Sequence, residues 1–480
     1  VPRAIGAWAL CLVVALSWAL TIGRYGGPDE PAHVVRAAAV ARGVLIGSPA
    51  VDLEPGYRVV EVPRSIASGD PSCYRHDPDA DASCAVASDR TDLVAAATSA
   101  GTFPPTYYAA VGAVARVAGV GDDALGHRVV AALAVALVLA LAYGRLRAWP
   151  DRTGAGLVWA GLTPAAWFLT GVVNTNGLEV ALLVLAWVLT AELLGGGRTA
   201  SIDVGRHLAA LGLIGATVVL IRPVAVTGVV TVAATLAVGL APDQRPHWRS
   251  RSVAGAVAAV LAAAVLVGAW WAAVGLVVRD SRTAGDIDGS IVLAALRGID
   301  DTVAEAVSSL GWAEYSAPLP AVLIWCSVAA VAISALAIGG DRRLRRAAVV
   351  GAAATVLLPV VFEIVTARRI GHVWQGRYSI GALIGLAALG AVALPDRLRR
   401  IASALPLLAA AGSTLTLWAA ARRYISGADG PWWFDRTSGW WPPAGPWLPL
   451  AAHAAASVAL AAGLTVDRRA GALDPLRAAT

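Results

Sequence analysis

Long uninterrupted apolar runs constrain this chain more than any other feature. Stretches such as 5–22, 253–278 and 347–365 carry at most one charge. Each is near the length of about 20 residues that a bilayer core demands of a helix. Within lipid every backbone polar group must find its partner inside the protein, and these Ala-, Val- and Leu-rich runs suit packed helices. Only 15% of the residues are charged, against roughly 25% in a soluble domain. The expected fold class is therefore all-α and integral to the membrane. No basic stretch is interleaved with aromatic residues, so a nucleic-acid partner is not expected.

Hydropathy and breaker residues predict about twelve transmembrane helices. They fall near 4–22, 124–144, 154–171, 177–194, 207–221, 224–241, 253–278, 317–338, 347–365, 379–394, 401–420 and 447–464. Residues 1–22 read as an uncleaved first span rather than a signal peptide, because the apolar stretch outruns a typical h-region. Segment 103–119 (FPPTYYAAVGAVARVAG) reads as a re-entrant or interfacial helix. Counting it as a span would reverse every later loop. The arginine clusters at 145–152, 245–251, 342–346 and 397–400, with Arg468 and Arg469, then share one side. The positive-inside rule makes that side cytoplasmic, so both termini are expected inside and the chain in the cell (plasma) membrane. Two large extracytoplasmic loops follow, 23–123 and 279–316, which hold 20 of the 32 acidic residues. The acidic, polar face is thus the external one. We divide the chain into an N-terminal module, 1–241, and a C-terminal one, 242–480. Cys73 and Cys84 share the first loop, where an oxidising compartment favours a disulfide.

In so apolar a chain the polar residues near span ends are informative, because an ionisable group at membrane depth is expensive to keep. The only asparagines are Asn174 and Asn176, in VVNTNG; Gln375, Arg377 and Tyr378 lie in HVWQGRYSI, and Arg222 interrupts VVLIRPVAV. All fall at outer span ends, with Glu179 and Glu363 near the same level. The bland readings are an Asn-Gly turn, a snorkelling Arg222 and an interfacial Tyr378. His76, His207 and His247 read as loop residues. The outer stretch GGPDEPAH, residues 26–33, adds Asp29, Glu30 and His33, with Arg36 one turn further on. A helix beginning near Pro31 could use Asp29 or Glu30 as no more than its cap. The same helix would set Asp29, His33 and Arg36 on one face.

PDEPAH followed by an arginine, FPPTYY before the second span, the polar NTNG loop and the late QGRY resemble a bacterial polytopic membrane family, the domain of unknown function 2142. The order matches over most of the chain. The pattern departs at Gly177 and Glu179, where an Asp is expected after the asparagine. That family resembles part of the GT-C glycosyltransferase superfamily, whose members carry a catalytic acid in the first outer loop.

The resemblance implies transfer of a sugar from a polyprenyl-phosphate donor to a cell-envelope glycan or glycolipid acceptor, by inverting single displacement. Such a step needs a carboxylate base, here Asp29 or Glu30 with His33 orienting the acceptor. It also needs cations at the phosphate, here Arg222 and Arg377. Arg36, Asn174, Asn176, Gln375 and Tyr378 complete the expected substrate contacts. Two adjacent carboxylates are not by themselves a metal-ligand set, so no cofactor is assigned, and a divalent metal bridging the acidic pair stays open. The rival readings are a lipid-linked glycan transporter or flippase, and a non-catalytic protein of envelope assembly.

Overall fold

The computed structural model describes residues 2–50, 53, 56–195, 203–241, 250–275, 291–370, 373–434, 436 and 439–465. Arg245, Arg249, His247, Arg468 and Arg469 lie outside the described residues, as do residues 279–290 of the 279–316 loop.

Helix α1 (Pro2–Thr21) is the first span. The segment after it folds into α2 (Glu30–Val40), a sheet of β1 (Ser48–Pro49), β2 (Arg58–Pro63) and β3 (Leu93–Thr98), the single turn α3 (Arg64–Ala67), and α4 (Thr106–Val117). The sheet is antiparallel in the order β1-β2-β3, with Val60 opposite Ala96. There follow α5 (Ala124–Leu146), α6 (Arg152–Ala160), α7 (Pro164–Leu169), α8 (Thr175–Gly195), α9 (Val204–Ile221), α10 (Val226–Gly239) and α11 (Arg251–Ala273). After α12 (Ile291–Arg297) and α13 (Ile299–Ser308) comes the short hairpin β4 (Ser309–Leu310) and β5 (Tyr315–Ser316). The chain then runs through α14 (Leu319–Gly339), α15 (Arg342–Ile370), α16 (Ile380–Val392), α17 (Asp396–Ser426) and α18 (Trp447–Thr465).

Among the described residues nine helices are long and apolar enough to span a membrane, with α10 and α16 as shorter apolar helices. This is a multi-pass helical membrane protein. The third expected span, 154–171, is not one helix. Gly161 ends α6, and Thr163 caps α7 through its hydroxyl while Pro164 occupies the first turn. The proline lacks the N–H that a continuous helix needs there and biases Thr163 away from helical geometry. Segment 103–119 forms α4, whose 12 residues reach about 18 Å, well short of the roughly 30 Å hydrocarbon core. It packs against α2 instead of crossing.

Helices from the two halves of the sequence interleave. α1 packs on both α5 and α18, α8 on α16, and α10 on α15. At one end of the bundle Glu192 of α8 is buried and takes Trp149 Nε1 at 3.0 Å, His207 Nε2 at 2.8 Å and the Arg145 guanidinium. His207, expected in a loop, sits in the first turn of α9, because Asp203 caps that helix four residues earlier.

At the other end Cys73 and Cys84 are disulfide-bonded, with Cα atoms 6.3 Å apart. The loop they close docks on the end of α17. Arg423, fully buried, donates to Tyr74 O at 2.8 Å and Asp77 O at 2.9 Å, and pairs with Glu314 at 3.4 Å. The next residue, Tyr424, donates its hydroxyl to Gly26 O at 2.9 Å. This contact explains a glycine in GGPDEP: a Cβ on Gly26 would meet the Tyr424 ring at 2.7 Å. A Cβ on Gly27 would meet Val172 equally closely.

Candidate functional site

Four span ends and the turn after α1 converge at the end that carries the sheet and the disulfide. The GGPDEP turn lies at the centre. Its two carboxylates, adjacent in sequence, have opposite environments.

Glu30 begins α2 and is fully buried. Its Oε1 accepts Arg128 Nε at 2.7 Å and Val173 N at 3.0 Å. Its Oε2 accepts Arg128 Nη2 at 2.6 Å and Gly27 N at 3.2 Å. A carboxylate offers about four lone-pair sites, and here all are used. Arg128 is equally saturated, since it also donates to Ala19 O, Ile22 O and Gly23 O. Those carbonyls belong to the frayed end of α1. Glu30, read from sequence as an alternative base, therefore has no free lone pair for a proton. It ties α1, α2, α5 and the turn before α8 together.

Asp29 precedes α2 with φ 57° and ψ 7°, a left-handed conformation, and makes no side-chain capping bond. The capping reading of this residue is thus excluded by its geometry. The carboxylate turns away from the helix, keeps 44% of its surface exposed and pairs with the Arg377 guanidinium. A non-glycine residue held left-handed is uncommon and concentrates at functional sites.

His33, one turn into α2, is buried and bonds through Nδ1 to the Tyr108 hydroxyl at 2.8 Å, with the rings stacked. Burial lowers its pKa to about 3; Asp29 opposes that shift, and Arg222 and Arg377 reinforce it. The imidazole is therefore neutral at physiological pH. Arg36 is buried between the Tyr108 and Trp270 rings, 5.9 and 5.8 Å from their centroids, and donates Nη2 to Phe103 O at 3.3 Å. Its Nε and Nη1 have no hydrogen-bond partner among the described residues.

Arg222 is the residue at which α9 stops, its φ of −154° and ψ of 97° being extended. Pro223, which follows, disfavours helical geometry there. Its Nη1 donates to Asn176 Oδ1 at 2.6 Å and Thr175 Oγ1 at 3.3 Å, and its Nε lies 3.2 Å from Glu179 Oε2. Asn174 caps α8, taking Asn176 N at 2.9 Å, and donates to Pro28 O at 2.7 Å. Asn176 also donates to Glu179 at 3.2 Å. Both asparagines thus have their side chains engaged within the protein. Glu179, two residues after Gly177, is the carboxylate at this end of α8 and pairs with Arg222.

The segment 373–378 is held from outside. Glu363 Oε1 accepts Val373 N at 3.0 Å as well as Trp374 N, and Glu305 accepts Gly376 N at 2.7 Å. This presents Tyr378 between two guanidiniums, 4.1 Å from Arg222 and 5.3 Å from Arg377. Gln375 is exposed on this turn, where its carbonyl accepts Tyr378 N at 2.9 Å. Behind the turn a mostly apolar cavity of about 460 Å³ runs between α13, α15 and α16, with Trp374 and Ser379 at the end nearest the site.

Among the described residues no group of three His, Cys, Asp or Glu side chains is placed to hold a metal. Asp29, Glu30 and Glu179 are instead each paired with an arginine. Sequence reasoning missed Arg128 and the partnership of Tyr108 with His33. Arg128 carried a usable signal, a charge within the apolar run ALGHRVVAALAVAL.

Fold and site together define a polytopic helical membrane protein with a charged, partly open site at one end of its bundle. The chain belongs to the DUF2142 family of predicted membrane proteins, whose model matches residues 11–386. No curated protein matches it. It is similar to two crystal structures of ArnT from Cupriavidus metallidurans, one bound to undecaprenyl phosphate and one in the apo state. Each is 16% identical; the alignments cover 98% of this chain and 79% and 78% of those chains, with TM-scores of 0.43 and 0.44.

Proposed function

We propose that this protein is a membrane glycosyltransferase that moves a sugar from a polyprenyl-phosphate donor to an extracytoplasmic envelope acceptor. The observation that carries the reading is Asp29. It is a carboxylate in a left-handed conformation, spared from capping, 44% exposed and paired with Arg377, one helical turn before the neutral His33.

In the reaction the acceptor hydroxyl attacks the anomeric carbon as the bond from that carbon to the phosphate oxygen breaks. The departing electron pair stays on the phosphate, and the hydroxyl proton goes to Asp29. Attack from the face opposite the leaving group inverts the anomeric configuration. Neutral His33 can hydrogen-bond the acceptor without adding charge. Arg377 and Arg222 set a positive potential where charge builds on the phosphate. Asn174, Asn176 and Glu179 hold Arg222 in place, a positioning role. A donor whose leaving group is already a phosphate needs no general acid.

Purified protein supplied with polyprenyl-phosphate sugars and an envelope glycan fraction is expected to release polyprenyl phosphate as the glycan gains sugar. A deletion strain is expected to accumulate the unconsumed donor. If no lipid-linked sugar is consumed and the deletion leaves lipid-linked glycans unchanged, the reading fails.

The same reading requires the site to face away from the cytoplasm, with both termini and the arginines at 342–346 inside. The arginine bias of the short connections supports that orientation. Topology reporters fused after Arg346 and after Thr480 are expected to report a cytoplasmic location. An external signal from either overturns the orientation.

A further inference from the structure

We propose that the two site arginines are not equivalent. Arg377 is the cation that receives the donor phosphate, and it must release Asp29 to do so. The base is then freed only in a site that already holds donor. This deepens the glycosyl-transfer reading and rests on it.

The inequivalence follows from what each arginine would leave behind. Arg222 has a carboxylate of its own, Glu179, which is 1% exposed and braced by Asn176. Drawing Arg222 towards a phosphate would strand a buried charge, and breaking such a pair is strongly destabilising. Arg377 has Asp29 as its one carboxylate partner among the described residues, besides a 3.4 Å contact to the Tyr378 hydroxyl. Its Nε, like that of Arg222, is buried with no hydrogen-bond partner among the described residues, so the two differ in their carboxylates and not in this atom. The two guanidiniums are similarly buried, 14% and 10% exposed, but withdrawing Arg377 from Asp29 leaves a carboxylate with 44% of its side chain in water, where solvent can replace the lost partner. A phosphate offers more charge than a carboxylate and a geometry that accepts the planar guanidinium fork. The exchange is therefore favourable at Arg377 and costly at Arg222.

The geometry also accounts for Asp29. Paired with Arg377, it has a lone pair directed at a guanidinium and is a poor proton acceptor. Once the phosphate takes the guanidinium, that lone pair faces the acceptor side. When the glycosidic bond to phosphate breaks, the electron pair moves onto an oxygen next to Arg377, and the acceptor proton moves to Asp29. Donor thus binds before the acceptor is activated. Turn 373–378 stays fixed during the exchange, because Glu305 and Glu363 hold its backbone; only the side chain of Arg377 need move.

A double-mutant cycle on farnesyl phosphate binding to the purified full-length chain tests the exchange. If Asp29 competes with phosphate for Arg377, Asp29→Asn tightens binding by roughly two- to fivefold, the range expected for a partly exposed ion pair. In an Arg377→Gln background the same substitution is expected to leave affinity unchanged, because no shared cation remains. Tightening of equal size in both backgrounds would mean simple repulsion between Asp29 and phosphate, and would overturn the exchange. So would no tightening in a wild-type background that binds farnesyl phosphate. Failure of the wild-type protein to bind farnesyl phosphate at all would instead remove the donor reading, and the exchange with it. Melting temperatures of the variants confirm folding; asparagine is among the few residues that tolerate the left-handed conformation at position 29.

Discussion

Asp29→Asn is expected to lower sugar transfer by about 10²–10⁴-fold, the usual contribution of a general base, while the protein still inserts and folds. Asparagine keeps the size of the side chain and tolerates φ 57° as aspartate does, but it cannot accept a proton. Were Asp29 a helix cap, its loss would cost about 1 kcal/mol of stability and leave turnover intact. The structure removes that reading, since the side chain makes no capping bond. Alanine is the poorer probe: at a left-handed position it adds strain of about 1–2 kcal/mol, which confounds folding with chemistry. Transfer rates and melting temperature measured on the same preparation separate the two. Wild-type transfer by Asp29→Asn would remove the base and leave the site without a proton acceptor.

Much of the fold was legible because lipid leaves a helical chain little choice. Runs such as 253–278 and 317–338 suit helices in a bilayer, and α11, up to Ala273, and α14 lie in them. The 154–171 run misled because hydropathy averages over Thr163 and Pro164, and the break between α6 and α7 depends on one missing N–H. His207 misled in the same local way: whether it lay in a loop depended on where Asp203 began α9. Within the site, residue types and their level at the span ends were readable. Arg222, Asn174, Asn176, Arg377 and Tyr378 do come together, with Gln375 exposed on the same turn. What sequence could not give was the division of labour between Asp29 and Glu30. That is set by one backbone dihedral and by Arg128, 98 residues from Glu30 along the chain. Nor could adjacency in NTNGLE show that Glu179, two positions beyond the expected acid, would reach Arg222 by the first turn of α8.

Arg128→Ala is expected to be the most destabilising substitution at this end of the molecule, by about 3–5 kcal/mol, because it leaves Glu30 as a buried charge with no counter-ion. Buried ion pairs can often be exchanged for apolar residues of similar volume at little cost, so the double variant Arg128→Met with Glu30→Met is the informative control. Here the exchange should not rescue. Arg128 also satisfies the carbonyls of Ala19, Ile22 and Gly23, and Glu30 the N–H groups of Gly27 and Val173. Each buried backbone group left unpaired costs roughly 1–3 kcal/mol, and methionine can replace none of those bonds. The double variant is therefore expected to melt well below wild type and to lose the fixed placement of Asp29, the next residue. Glu30→Gln retains two of the four acceptor bonds at most and should fall between them. Thermal unfolding of the three variants in one detergent provides the measurement. A double variant as stable as wild type would show that the pair is an exchangeable charge bridge rather than the tie that holds α1, α2, α5 and the turn before α8 together.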